Sequence, residues 1–197
     1  DSQPLVIDSV TALERLFVAE VLDQDPKAKS INQALGGYGA GVAAVAAMHA
    51  RVRKGAGLAN EKRGMHVVFV AHADVETMRL PDADDYMRYS LRLPPKSMPP
   101  YVDDVDVVGF LRLVTFTKGD DGERKKAIST GDRELVCHAV ASNISKNRYG
   151  LTEALPFAAG ENPLFAVIPA LAGKHMKQAT AKANSMTPAD GSDGSAQ

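Results

Sequence analysis

Two short apolar runs, each closing on polar residues, constrain this chain more than any other feature. Leu5-Val6-Ile7 leads into Asp8-Ser9, and Val67-Val68-Phe69-Val70-Ala71 leads into His72, with Asp74 just beyond. Runs this short suit strands buried on both faces of a parallel sheet. A helical excursion separates them, so the pair reads as a parallel crossover. Asp8 and His72 then share the carboxyl edge of one sheet, where open α/β sheets bind ligands. Each residue also has a plainer reading: Asp8 as a cap for the following helix, His72 as a structural histidine.

The 197 residues suffice for one domain with a real core, and 45% hydrophobic with 24% charged residues is ordinary for a globular protein. A net charge of −1 supplies no global basic field, so any nucleic-acid contact has to come from a local patch. The single cysteine, Cys137, excludes an intramolecular disulfide and suits a reducing cytoplasm. No apolar run approaches the ~18 residues of a membrane span, and no signal peptide opens the chain. A core-type strand begins only a few residues in, so the N-terminal part of a larger domain is expected to be absent.

After Asp8, either Ser9 or Thr11 is placed to cap a helix, and Thr11-Ala12-Leu13-Glu14 fits a capping box. Leu13, Leu16, Phe17 and Val21 recur at helical spacing, with a stop expected near Asp25-Pro26. Gly36-Gly37-Tyr38-Gly39-Ala40-Gly41 lacks Gly-Lys-Ser/Thr and follows no strand, so it reads as a flexible loop rather than a phosphate loop. Residues 42–53 predict an alanine-rich helix with Arg51, Arg53 and Lys54 at its end, stopped by Gly55 and Gly57.

Residues 77–104 read as irregular. They mix five prolines with Arg79, Arg88, Arg92 and Lys96, and place Tyr86, Tyr89 and Tyr101 between them. Arg88, Tyr89, Arg92 and Lys96 in one loop suit single-stranded DNA, through phosphate contacts and base stacking. A solvated loop with its tyrosines packed down fits equally well. From Val105 to Thr117, and over 125–130 and 134–142, strand character predominates, and Gly119-Asp120-Asp121-Gly122 is a turn signal, so antiparallel hairpins are expected. Lys146 and Arg148, at i and i+2, present two cations on one side of an extended segment, with Asn147 facing away. Such a pair suits a polyphosphate or a DNA backbone, or else is a solvated pair beside a strand end. One more short element follows Pro163, and residues 174–197 have the composition of a disordered tail.

Leu5-Val6-Ile7-Asp8-Ser9 with Thr11 to Leu16, Val67 to Asp74, and Lys146-Asn147-Arg148-Tyr149-Gly150-Leu151 together resemble the phage-encoded RecA/RadA-like ATPases, in that order and spacing, over roughly residues 4–157. The last segment is similar to the KNRFG motif of RadA-type proteins. The resemblance implies an α/β fold: a RecA-like P-loop NTPase core, a parallel sheet flanked by helices, with an antiparallel hairpin extension, over residues 1–173. It implies an ATP-binding, DNA-stimulated ATPase of recombination, repair or single-strand annealing, using ATP and Mg²⁺ in the cytoplasm of a bacterial host, with no membrane. Asp8 then matches the aspartate that holds Mg²⁺ through water, with Ser9 beside it. His72 matches the sensor of the γ-phosphate, and Lys146 and Arg148 match cations that reach a neighbouring subunit's nucleotide in a ring or filament. The family's Gly-rich Lys-Ser/Thr loop should precede Asp8, and this sequence has none. The alternative is a module that binds single-stranded DNA or assembles without hydrolysing ATP.

Overall fold

The computed structural model describes residues 4–118, 126–158 and 160–168. The described residues form two compact units, one drawn from Asp1–Phe110 with Cys137–Asn147, the other from Leu111–Val136 with Arg148–Gln197.

The first unit opens with β1 (Leu5–Asp8), which pairs in parallel with β2 (Val67–Val70), in register from Leu5↔Val67 to Asp8↔Val70. The expected burial on both faces is not found. Leu5 and Ile7 are half-buried, whereas Val6 is 54% and Val68 46% exposed. Ile7 and Phe69 cover one face by packing against Val10, Leu93 and Tyr101. β-branched residues suit a half-buried strand as well as a fully buried one, so their run did not distinguish the two.

The crossover holds α1 (Val10–Asp23), a 3₁₀ turn at Ala34–Gly36 and α2 (Ala40–Arg63). Ser9 is the N-cap of α1: its Oγ accepts from the Ala12 N–H at 3.1 Å. Thr11 therefore lies inside the helix, and the predicted capping box from Thr11 to Glu14 does not form. The Asp8–Ser9 peptide is cis. α2 runs straight through Gly55 and Gly57 and stops at Gly64, whose φ of 61° is the left-handed conformation that ends helices. The helix formers around Gly55 and Gly57 outweigh a cost of about 1 kcal/mol for each glycine. Lys62 and Arg63 are thus the cations of the last turn. Arg53, expected there, instead donates to the Asp104 carbonyl.

α1 and α2 meet through Val21, Ala34 and Val45, with Phe17 and Ile31 packed beside them. Gly41, in the first turn of α2, lies so close to the Ile31 carbonyl that a Cβ would overlap it. At Gly55 a Cβ would meet nothing within 4 Å.

His49 of α2 is fully buried between two polar partners. Its Nε2 lies 2.8 Å from Glu14 Oε2 and its Nδ1 lies 2.7 Å from Tyr101 OH. A neutral ring satisfies both contacts in one way: Nε2–H donates to the Glu14 carboxylate, and the Tyr101 hydroxyl donates to Nδ1. Burial lowers the His49 pKa, opposed by the hydrogen bond and charge of Glu14. Burial, with the Glu14 charge behind it, pushes Tyr101 up to about 12. Phe17 and Tyr101 meet the imidazole edge-on at centroid distances of 4.9 and 5.5 Å.

The stretch expected to be irregular contains a hairpin, β3 (Ala73–Leu80) with β4 (Ala83–Leu91), paired antiparallel from Ala73↔Leu91. Its alternation is hidden in the sequence because the inner face carries Glu76, Arg88 and Tyr86, half-buried, and the outer face Val75, Thr77 and Met87, exposed. Pro81 sits in the hairpin turn, and the other four prolines lie beyond it, Pro94 and Pro95 at a 3₁₀ turn (Pro95–Ser97) and Pro99 and Pro100 in α3 (Pro99–Val102), which carries Tyr101. β5 (Val107–Val108) pairs antiparallel with β8 (Lys146–Asn147).

In the second unit, β6 (Phe110–Lys118), whose first residue belongs to the first unit, β7 (Lys126–Val136) and β9 (Leu155–Pro156) form one sheet in the order β6-β7-β9. β7 is a single strand where the sequence predicts two, over 125–130 and 134–142. Arg112 pairs with Glu134 at 2.6 Å. After Pro163 comes the short α4 (Leu164–Val167). The predicted turn at 119–122 and tail at 174–197 lie outside the described residues. The fold is thus mixed α/β, with small sheets and few helices, and antiparallel pairing begins at Ala73 rather than at Val105.

Two expectations follow from this packing. Gly41→Ala should destabilise the protein by about 1–3 kcal/mol, since backbone has to shift, while Gly55→Ala should stabilise it by about 0.5–1 kcal/mol. Urea unfolding of the two variants checks the opposite signs. For His49, the folded pKa lies below the unfolded value of 6.5, so the folded state resists protonation. Its contribution to stability is complete above about pH 6.5 and is lost as pH falls from there through the folded pKa. His49→Gln should flatten that acid-side slope, measured as the urea midpoint from pH 7.5 to 5.

Candidate functional site

Parallel register brings the polar strand ends together. Asp8 lies opposite Val70, so Ala71 and His72 continue past it on the same edge. The His72 N–H donates to Thr11 Oγ1 at 3.0 Å, which ties the tip of the β2 segment to the first turn of α1. Asp8 and His72 are both exposed, whereas Ser9 and Thr11 are buried. The buried pair are scaffold: Ser9 Oγ caps α1 and Thr11 holds His72. The exposed pair face solvent at the sheet edge.

Arg92 belongs to the same edge, which the sequence did not suggest. Its N–H donates to the His72 carbonyl at 2.8 Å, and its Nη2 donates to the Ala73 carbonyl at 3.1 Å. Leu91 and Leu93 on either side pack into the Val10–Tyr101 core. The alternation Leu-Arg-Leu was the available signal, and it was obscured by the prolines that follow.

The four residues expected to contact DNA are dispersed. Arg88 and Tyr89 are consecutive in β4 and point to opposite faces. Arg88 pairs with Glu76 at 2.6 Å. Tyr89 stacks on Phe110 at 4.8 Å and is 46% exposed. Arg92 stands at the strand ends, and Lys96 Nζ approaches to 3.7 Å of the position a Cβ would take on Gly39.

Lys146 and Arg148 are also divided. Lys146 Nζ donates to the Asp103 carbonyl at 2.8 Å, within its own unit. Asn147 Nδ2 donates to the Cys137 carbonyl, so its side chain turns inward. Arg148 is exposed and begins the segment assigned to the second unit.

The edge fits one part of a Mg²⁺–nucleotide site. Asp8 offers a hard, solvent-facing oxygen donor, the type Mg²⁺ takes singly while keeping waters and phosphates as its other ligands. Among the described residues, no group of three or more His, Cys, Asp or Glu gathers to hold a metal unaided. The glycines before α2 do not provide a phosphate loop. No strand leads into them, Leu35 and Tyr38 both have positive φ, and Tyr38 is fully exposed. Among the described residues, no helix is long and apolar enough to cross a membrane.

Comparison with curated proteins and with solved structures gives no match. Residues 1–149, well over half of the chain, match the family described as AAA domain. The strand-end aspartate, the crossover and the polar edge beyond β2 all lie within that match, and the chain belongs to this AAA-domain family of nucleotide-binding, P-loop-type ATPases.

Proposed function

We propose that this chain carries the magnesium- and γ-phosphate-facing half of an ATP site, in a DNA-stimulated ATPase of the RecA/RadA-like phage type. The observation that carries the reading is the edge itself: Asp8, exposed at the end of β1, stands beside His72, whose backbone is fixed by Thr11. Asp8 would hold Mg²⁺ by accepting hydrogen bonds from its water shell, and the ion, bound with the nucleotide, would supply charge neutralisation at the phosphates. His72, at the same edge, contacts the terminal phosphate in this reading, with its backbone tied to Thr11. Loss of the phosphate would be felt along that tie in α1. DNA stimulation and action across a subunit interface, in a ring or filament, are supported by the likeness of Lys146 to Leu151 to the RadA motif. Lys146 and Arg148, the two cations of that motif, are the residues proposed to act in trans.

These 197 residues contain no Gly-x-x-x-x-Gly-Lys-Ser/Thr loop, which would supply the amides and lysine that grip the β- and γ-phosphates. The isolated 197-residue chain should therefore hydrolyse ATP at no more than background. Joined to a strand and loop of that pattern placed before Leu5, it should turn over ATP, and Asp8→Asn should then remove most of the activity, by about 10²-fold or more. Robust hydrolysis by the isolated chain that survives Asp8→Asn would show that the site lies elsewhere. In the same extended protein, Arg148→Ala should lower activity without lowering nucleotide affinity. Mixing it with a phosphate-loop variant should recover part of the activity, read as ATP turnover at fixed total protein.

A further inference from the structure

Arg92 carries no role in the reading above, yet its placement is unusually constrained. Leu91 and Leu93 both pack toward the core that Val10 and Tyr101 form. Arg92 lies just past β4, at the centre of a tight turn closed by the Leu93 N–H donating to the Leu91 carbonyl at 2.8 Å. The Arg92 N–H is held by the His72 carbonyl at 2.8 Å, and Nη2 by the Ala73 carbonyl at 3.1 Å, so backbone and guanidinium both register on the residues just past β2. The side chain is more than half exposed.

Its charge is loosely matched, as is that of Arg79, whose Nε lies 3.6 Å from Asp85 Oδ2. Arg88 and Arg112 each meet a glutamate at 2.6 Å. Arg92 Nε lies 3.8 Å from Asp74 Oδ2, in a pair more than half exposed on both sides. Asp74 in turn spends Oδ1 on the Val75 N–H. A solvent-screened pair at that distance is weak. The guanidinium has five N–H donors in a planar fork, and the Ala73 carbonyl takes one of them. Arg92 and Asp74 also line an open cleft of about 340 Å³ that continues along Leu93, Pro94 and Met98.

We propose that Arg92 is a phosphate-binding residue of this edge, exchanging its Asp74 contact for the oxygens of a nucleotide polyphosphate held beside His72. The proposal deepens the nucleotide reading and rests on it. Asp8 supplies the metal side, His72 the terminal contact, and Arg92 a bidentate fork that a point charge does not reproduce. Asp74 parks the guanidinium over the strand end while the edge is empty of ligand. Its carboxylate then competes with phosphate, which gives the proposal a sign that a merely structural arginine lacks.

The test is a titration of the 197-residue chain with inorganic triphosphate plus Mg²⁺, followed by amide chemical shifts. In the wild type, signals of Asp8, His72, Ala73 and Arg92 should move together. Arg92→Ala should weaken binding about tenfold and Arg92→Lys should restore only part of it. Asp74→Asn should tighten binding about two- to fivefold, because the competing carboxylate is gone. Unfolding midpoints of the variants, compared with wild type, separate lost binding from lost fold. Shifts at Asp8 with wild-type affinity in Arg92→Ala would overturn the Arg92 proposal and leave the nucleotide reading intact. No shift anywhere along the edge would overturn both. Weaker binding in Asp74→Asn would show that the pair is structural and would overturn the exchange.

Discussion

The parallel register of β1 on β2 is the constraint from which the rest of the first unit follows. Parallel neighbours need a connection that returns the chain to the same end, and here α1, the turn at Ala34–Gly36 and α2 supply it. The same register places both strand ends on one edge. Had the two strands paired antiparallel, Asp8 and His72 would stand at opposite ends of the sheet. Ile7 and Phe69 then occupy one covered face with Val10, Leu93 and Tyr101, and that face orients everything beneath the edge.

The Glu14–His49–Tyr101 chain of hydrogen bonds does a different job. It joins α1, α2 and α3 through a point with no solvent access. A buried imidazole with one partner would leave a polar nitrogen unsatisfied, at about 1–3 kcal/mol. With two partners of opposite sense, the neutral ring is satisfied and its orientation is fixed. Apolar contacts alone, such as Val21 against Ala34 and Val45, hold the helices together without specifying rotation. The histidine sets which face of α1 looks at α2, and so where Ser9 and Thr11 sit relative to His72.

Much of the first unit was legible in the sequence. The two strands, their polar ends and the helical crossover were carried by apolar period and length. The departures share one cause, which is that local signals were overridden by partners distant in the chain. Thr11 and Glu14 have capping-box spacing, but His72 and His49, 61 and 35 residues away, engage them instead. Gly55 and Gly57 resemble a helix stop, yet no left-handed turn is needed there. The β3–β4 hairpin was hidden by charge on its inner face, where Arg88 and Glu76 neutralise each other across the strands. Arg88 and Tyr89, read as parts of one DNA patch by proximity in sequence, fall on opposite faces of β4 once strand alternation is imposed.

A division of labour at the edge follows from burial. Hydroxyls that are buried, Ser9 and Thr11, spend their hydrogen bonds on backbone, while groups that are exposed, Asp8, His72 and Arg92, are left to solvent or to weak partners. Buried polar atoms without partners are costly, so they are committed to structure. Exposed ones lose little by exchanging water for ligand. A single solvent-facing carboxylate binds Mg²⁺ too weakly to retain it, since this ion dehydrates reluctantly and keeps several waters. In the proposed site, metal and nucleotide would therefore arrive together, with the polyphosphate contributing the remaining oxygens.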